Sequence, residues 1–324
     1  MNQEHFLVTG AGGCIGVWVL RNLVRAGVPV TALDLDPKYH RLPLLLNQKE
    51  IAKINFIRGD ISDLATVEGA LKDSHANRIL HLAALQLPFC KADPVAGARV
   101  NVVGTVNVFA AAKRLGVKNV VYASSTAVYG PSEEYPDEPL AHDAPLKPRS
   151  HYGFYKQANE GNAQVYFRDE GVSSIGLRPY VVYGAGRDQG MTSTPTKAML
   201  AAAAGQPYHI SYGGRYCFQY GDDTAKAFIQ SARADITGAQ VFNIGGPSFS
   251  TAEVIAAIEK AEPSARGRIT FDDKPLPFPS EVDSAALIRA IGSLIFTPLA
   301  DGVAETLSIF RRAIAEGKIK AEAQ

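Results

Sequence analysis

The chain has 324 residues, 46% hydrophobic and 20% charged, with 29 Gly and 19 Pro. That composition excludes disordered, collagenous and coiled-coil architectures and leaves enough apolar material for one large domain or two unequal ones. Lys and Arg total 33 against 32 Asp and Glu, a net charge of +1, so no long-range field gathers nucleic acid or an anionic membrane, and neither is expected as a partner.

The short stretch before the first apolar run, Phe6 to Val8, leaves no room for a signal peptide. From there β-branched runs alternate with helical patterns. In chain order they predict a strand at His5 to Thr9, a helix at Ile15 to Ala26, and strands at Val28 to Leu33, Ile54 to Arg58 and Arg78 to Leu82. A helix at Val100 to Leu115, a strand at Asn119 to Ala123, a helix at Tyr155 to Arg168 and a strand at Ser173 to Arg178 follow. This alternation predicts an α/β fold, a Rossmann-type doubly wound parallel sheet over residues 1–180 with its ligands beyond the carboxyl ends of the strands. From 181 to 324 the texture changes to loops at Gly184 to Thr194, Tyr208 to Tyr216 and Lys274 to Pro279, with short helices at Thr251 to Ala261 and Ala300 to Ala313. This reads as a smaller, substrate-binding lobe. The strand-like Val241 to Ile244 predicts that a segment of about 217–246 rejoins the main sheet, making the lobe discontinuous. Lys318 to Gln324 reads as a frayed polar tail. The alanine stretch Ala198 to Ala204 is far short of the roughly 20 residues of a membrane helix. Cys14, Cys90 and Cys217 are too few and too scattered for a disulfide framework or a metal site. No metal is expected, and a cytoplasmic location is.

The first strand runs into Thr9-Gly10-Ala11-Gly12-Gly13-Cys14-Ile15-Gly16 and then a helix. Glycines 10, 13 and 16 permit a tight turn, close approach to a pyrophosphate, and close packing of helix on strand. Asp34 closes the second strand, 18 residues after Gly16, where a carboxylate accepts from both ribose hydroxyls and repels a 2′-phosphate, favouring NAD over NADP. The bland alternative is that Asp34 or Asp36 is a strand-end turn residue. Tyr152 and Lys156 are i and i+4 neighbours on one helix face, where an ammonium would favour the phenolate. Ser124-Ser125-Thr126 follows the fifth strand, placing hydroxyls at the same end of the sheet. His81, in an apolar strand, reads as a packed histidine, and His151 either enters the cleft or simply begins its helix.

Together these segments resemble the extended short-chain dehydrogenase/reductases, the NAD-dependent epimerase/dehydratase family. Further matches are Asp60-Ile61, His81-Leu82-Ala83-Ala84, Asn101, Ser124 to Gly130, Leu177-Arg178-Pro179 to Tyr183-Gly184, and Asp222-Asp223, which span nearly the whole chain. The resemblance implies that Gly10, Gly13 and Gly16, with Cys14 and Ile15 between them, line the pyrophosphate. It implies that Asp34 holds the adenosine ribose, that Asp60 and Ile61 flank the adenine, and that Leu82, Ala83, Ala84 and Asn101 lie near the cofactor. Lys156 is expected on the nicotinamide ribose, Pro179 and Val182 against the nicotinamide, and Ser124 in support of the cofactor pocket. Tyr152 is the implied acid/base and Ser125 the donor to the reacting oxygen, with Thr126 as the alternative donor. Pairing of the Val100 to Leu115 and Tyr155 to Arg168 helices with a second copy would give the homodimer common in this family.

Two markers of family members acting on nucleotide sugars are displaced. Val181 stands where an Asn is common, and Tyr216 stands at the expected arginine, with Arg215 one residue early. The sequence therefore points to an NAD-dependent oxidoreductase working on a small sugar, sugar acid or polyol. The alternative is an NAD-retaining epimerase or dehydratase resembling the UDP-glucose and UDP-glucuronate 4-epimerases, and a non-catalytic NAD sensor is a third class. Arg187 and Arg215 are candidate anion-holding side chains for the substrate, and Gln86 and Thr126 candidate partners for its hydroxyls.

Overall fold

The computed structural model describes residues 4–35, 39–136 and 139–320; Asp36 and the last residues of the tail lie outside the described residues. Its main sheet holds seven strands, all parallel: β1 (Phe6–Thr9), β2 (Val30–Asp34), β3 (Asn55–Arg58), β4 (Arg78–His81), β5 (Asn119–Ala123), β6 (Ser173–Arg178) and, much later in the chain, β10 (Ala239–Asn243). The order is β10-β6-β5-β4-β1-β2-β3, so the direction of winding reverses between β1 and β4, where a crevice opens at the strand ends.

Helices cover both faces, so the central strands read as unbroken apolar runs. Phe6 and Val8 of β1 enter the core shared with the helix Cys14–Arg25, while Leu7 enters a second core with Val67 of the helix Leu64–Ser74 and Val108 and Phe109 of the helix Gly104–Arg114. Pro94–Arg114 forms one helical stretch long and apolar enough, by composition alone, to cross a membrane. Here it is a core helix, burying Asn101, Gly104, Thr105 and Phe109 in the protein.

Three remaining strands, β7 (Val181–Tyr183), β9 (Arg215–Tyr220) and β11 (Ser248–Ser250), form a small sheet in the order β11-β9-β7, and β8 (Tyr208–Ile210) pairs with β12 (Ile269–Phe271). The stretch expected as a loop from Tyr208 to Tyr216 thus contains β8 and the start of β9. Likewise Cys217 to Tyr220, expected to rejoin the main sheet, belongs to the small one; within that segment only β10 returns to the large sheet. The helix Gly221–Arg233 between them lies against Cys14–Arg25, close enough that a Cβ on Gly221 would stand 2.6 Å from Trp18 Nε1.

His81, 3% exposed, ends β4 with Nδ1 2.7 Å from Thr9 Oγ1 and Nε2 2.9 Å from Thr105 Oγ1, pinning β1 and the covering helix. Burial, reinforced by the charge of Lys156, lowers it to about 3. The unfolded chain takes up that proton near the ordinary value of about 6.5, so between those values the unfolded state binds more protons and stability falls as pH drops. Acidifying from about 6.5 to about 5 should cost the wild type about 2 kcal/mol more than a His81→Asn variant. Urea titrations at the two pH values check this; equal losses in both proteins would exclude His81 as the group responsible.

Candidate active site

The glycine-rich turn meets the exit of β4 so closely that Gly10, at φ +66, could not carry a side chain: its Cβ would lie 2.4 Å from the Ala83 nitrogen. Gly16 is equally constrained, with Gly10 O 2.5 Å from where a Cβ would stand. Gly13 caps the Cys14–Arg25 helix without a side-chain hydrogen bond, leaving first-turn N–H groups for an anion. Asp34 Oδ2 accepts from Gly12 N at 2.8 Å, and Asp60 Oδ1 accepts from Ser62 N at 2.8 Å. A groove runs over Gly10, Gly13, Cys14, Asp34, Asp60, Ile61, Leu82, Ala83 and Ala84, and continues into a chamber with Ile15, Gly16, Ser124, Ser125, Thr126, Tyr152, Lys156, Pro179 and Val182 in its wall. Burial raises the Cys14 thiol.

The helix His151–Glu170 begins at Ser150, whose Oγ accepts from Gly153 N. It bears directly on the Thr126–Val128 turn: a Cβ on Gly153 would stand 2.2 Å from Ala127 O. This contact brings Tyr152 and Ser125 together in the chamber wall, close enough for the Ser125 hydroxyl to act on the phenol. Lys156, 3% exposed, donates from Nζ to Ala123 O at 2.6 Å and sits 5.6 Å from the Tyr152 ring centre. Burial lowers Lys156 to about 8. Burial also raises Tyr152, opposed by the Ser125 hydrogen bond and the charge of Arg187. Lys156 Nζ thus turns to a backbone carbonyl while staying over the Tyr152 ring, and the charge of Arg187 also acts on the phenol.

One turn further on, Glu160 Oε1 accepts from Ser124 Oγ at 2.5 Å and from Arg178 Nε at 2.8 Å, while Oε2 takes Arg178 Nη2 at 2.7 Å. The pair is almost completely buried, and Arg178 also donates to Tyr129 Oη and to His142 O. Ser124 is thus committed to Glu160, leaving Ser125 as the serine facing Tyr152. Thr126 lines the chamber, with its hydroxyl 3.4 Å from Pro179 O.

Gln86 and Arg187 also line the chamber. Arg187 Nη2 donates to Thr192 Oγ1 at 2.9 Å, whereas the buried Arg187 Nε and Gln86 Oε1 have no protein partner. Gly190, at φ +93, lets them in, since a Cβ there would stand 2.0 Å from Gln86 Oε1. Orphaned buried polar atoms of this kind call for a polar ligand.

Two predicted residues lie elsewhere. Arg215 is exposed and outside the cleft, donating to Ser248 O and to Glu253 Oε2, the carboxylate that also caps the Thr251–Ala261 helix. Asn101 does not line the groove. It sits in a π-helical turn, Arg99–Val103, where its Nδ2 and Oδ1 bond the Leu85 carbonyl and N–H at 2.9 and 2.8 Å, bracing the loop after β4. His151 is exposed at the helix start and stacks on Tyr155. Residues the sequence did not single out also line the site: Tyr39, Arg41 and Asp188 along the groove, and Tyr180, Met191 and Phe278 around the chamber. Arg41 and Asp188 follow strands in irregular segments, where no spacing marks them.

A doubly wound sheet with an uncapped helix start at its first crossover, and a Tyr, Lys and Ser gathered beyond β5, defines a nucleotide-cofactor enzyme. The chain belongs to the NAD dependent epimerase/dehydratase family, whose model matches residues 6–245. It is 32% identical over 321 residues to a UDP-glucose 4-epimerase of Mycolicibacterium smegmatis, covering 94% of this chain and 98% of that one. Among solved structures it is similar to the UDP-glucose 4-epimerase of Thermus thermophilus in complex with NAD, with 25% identity and a TM-score of 0.81 over 96% of this chain and 100% of that one. It is also similar to MoeE5 in complex with UDP-glucuronic acid and NAD, with 27% identity and a TM-score of 0.79 over 96% of this chain and 100% of that one. The cofactor of the family is NAD. The glycine cradle, the free helix N-terminus and the strand-end Asp34 suit its pyrophosphate and ribose.

Proposed function

We propose that this enzyme moves hydride at a secondary alcohol of a compact carbohydrate, a sugar, sugar acid or polyol, with residues 1–180 holding NAD and much of 181–324 closing over the substrate. The observation that carries the reading is the gathering of Tyr152, Ser125 and a buried Lys156 in one chamber wall. NAD, when bound, accepts or returns the hydride at its nicotinamide C4. Ser125 holds the substrate oxygen, Tyr152 takes or returns its proton, and Lys156 holds the nicotinamide ribose. Gly10, Gly13 and Gly16 carry the pyrophosphate and Asp34 the adenosine ribose. Arg187 and Gln86 hold the rest of the substrate with the two atoms that lack protein partners.

Compactness is supported by where the chamber ends. Among the described residues its lining takes nothing from 193–277. Tyr216, at the displaced arginine position, is turned inward, donating to Gly213 O at 2.9 Å and packing edge-on against Tyr180 and Tyr212. The second reading, a nucleotide-sugar epimerase that keeps its NAD, is favoured by the relatives reported above. Denaturing fresh protein and quantifying NAD per chain, followed by assays of UDP-sugars and of free sugars and sugar acids, separates the two. NADH accumulating with a free substrate supports the first. Near-stoichiometric bound NAD, with interconversion of UDP-sugars and no net NADH, replaces it with the second.

We also propose a homodimer. Val95 and Val103 are exposed on the Pro94–Arg114 stretch, and Phe154 and Val165 on the neighbouring 151–170 helix, the latter two about three turns apart on one stripe. Light scattering at micromolar concentration should give twice the chain mass, and Phe154→Glu should halve it; a wild-type monomer would refute the pairing.

A further inference from the structure

We infer that Arg41 and Asp188 form a clasp across the dinucleotide groove and set how long NAD stays bound. Tyr39 to Arg41 follow β2 of the large sheet, and Gly186 to Gln189 follow β7 of the small one, yet both segments line the same groove. They are joined there by one planar fork. Arg41 Nε lies 3.0 Å from each Asp188 carboxylate oxygen and Nη2 2.7 Å from Oδ1, a contact between residues 147 apart in sequence. His40 Nε2 adds a contact to Asp188 Oδ2 at 3.2 Å.

The fork also reaches the floor of the groove. Arg41 Nη1 donates to Gly12 O at 2.8 Å, and Gly12 N in turn donates to Asp34 Oδ2. One continuous line of bonds therefore runs from the ribose-facing carboxylate, through the glycine turn, to the loop of the second lobe. Gly186, at φ +92, lets that loop settle onto the first helix, with its Cβ position 3.3 Å from Val17 Cγ2 and 3.6 Å from Arg41 Cδ. The Arg41 side chain is 12% exposed and that of Asp188 44%, so the pair is shielded on the arginine side only, and its strength comes from its forked geometry. A dinucleotide lying from Gly13 toward Asp34 is enclosed between the two segments, and its exit requires Arg41 and Asp188 to part. The clasp thereby decides between a cofactor exchanged each turnover and one kept through many. The inference rests on NAD occupying this groove and is independent of which carbohydrate reacts.

The test is NADH release, followed by stopped-flow fluorescence after displacement with excess NAD, using the full chain without substrate. Asp188→Asn and Arg41→Gln should each speed release about tenfold, and the double variant should be no faster than either single one, as expected of two halves of one contact. Asp188→Glu should restore part of the residence time. Circular dichroism and apo-protein melting verify folding. In the wild type, rising salt should speed release, and in Asp188→Asn it should not. Release within about twofold of wild type in the folded variants, additive effects in the double variant, or a salt-insensitive wild type would each overturn the clasp.

Discussion

Replacing Tyr152 by Phe should lower kcat by roughly 10²–10⁴-fold, the range carried by one positioned proton donor, while changing NAD affinity by less than about twofold. The asymmetry follows from what the hydroxyl touches. It lies with Ser125 at the chamber wall, and the ring is left in place beneath Lys156 Nζ, so the cofactor groove is undisturbed. Because burial raises the phenol, wild-type kcat/KM for alcohol oxidation should climb as pH rises through the alkaline range, and the residual rate of the variant should lose that component. Initial rates together with NAD titration by tryptophan fluorescence measure both quantities. A Tyr152→Phe enzyme that turns over at the wild-type rate would remove Tyr152 from the chemistry.

Arg178→Met should cost about 3–5 kcal/mol of folding stability, because it leaves the Glu160 carboxylate buried without its cation. Both side chains are under a tenth exposed and share two hydrogen bonds, so water cannot replace the lost partner without opening the helix from the sheet. The double variant Glu160→Gln with Arg178→Met should recover most of that loss, since removing both charges of a buried pair is often close to neutral. The glutamine amide oxygen can still accept from Ser124 Oγ, which donates to Glu160 in the wild type, so the recovery should not be limited by that hydroxyl. Chemical denaturation monitored by circular dichroism gives the stabilities; a single-variant cost below about 1 kcal/mol would show that the pair is not the anchor its burial implies.

The first six strands were legible in the sequence for a physical reason: a parallel sheet buried on both faces writes itself as short apolar runs, and β5 and β6 were delimited to the residue. The glycine turn was legible because its close approaches fix spacing, and Tyr152, Lys156 and Ser125, expected from the resemblance, line one chamber. What stayed hidden depended on partners far along the chain. Arg215 was expected to hold a substrate anion, but from the start of β9 it reaches Glu253 of the Thr251–Ala261 helix. Asn101 lay close to the cofactor in sequence terms, but a π-turn redirects its amide to Leu85. β8 is three residues long and paired only with β12, some 60 residues on, so no local pattern marks it. Arg41 and Asp188 acquire meaning only when two lobes are brought together.

The contact of Gly153 with Ala127 has a bearing on redesign. With no side chain between helix and turn, the separation of Tyr152 and Ser125 is gauged by main-chain atoms rather than by interchangeable packing. The proton-transfer distance is in effect machined into the scaffold. The chamber wall, by contrast, is lined by the side chains of Gln86, Met191 and Phe278, which can be recut without resetting that gauge.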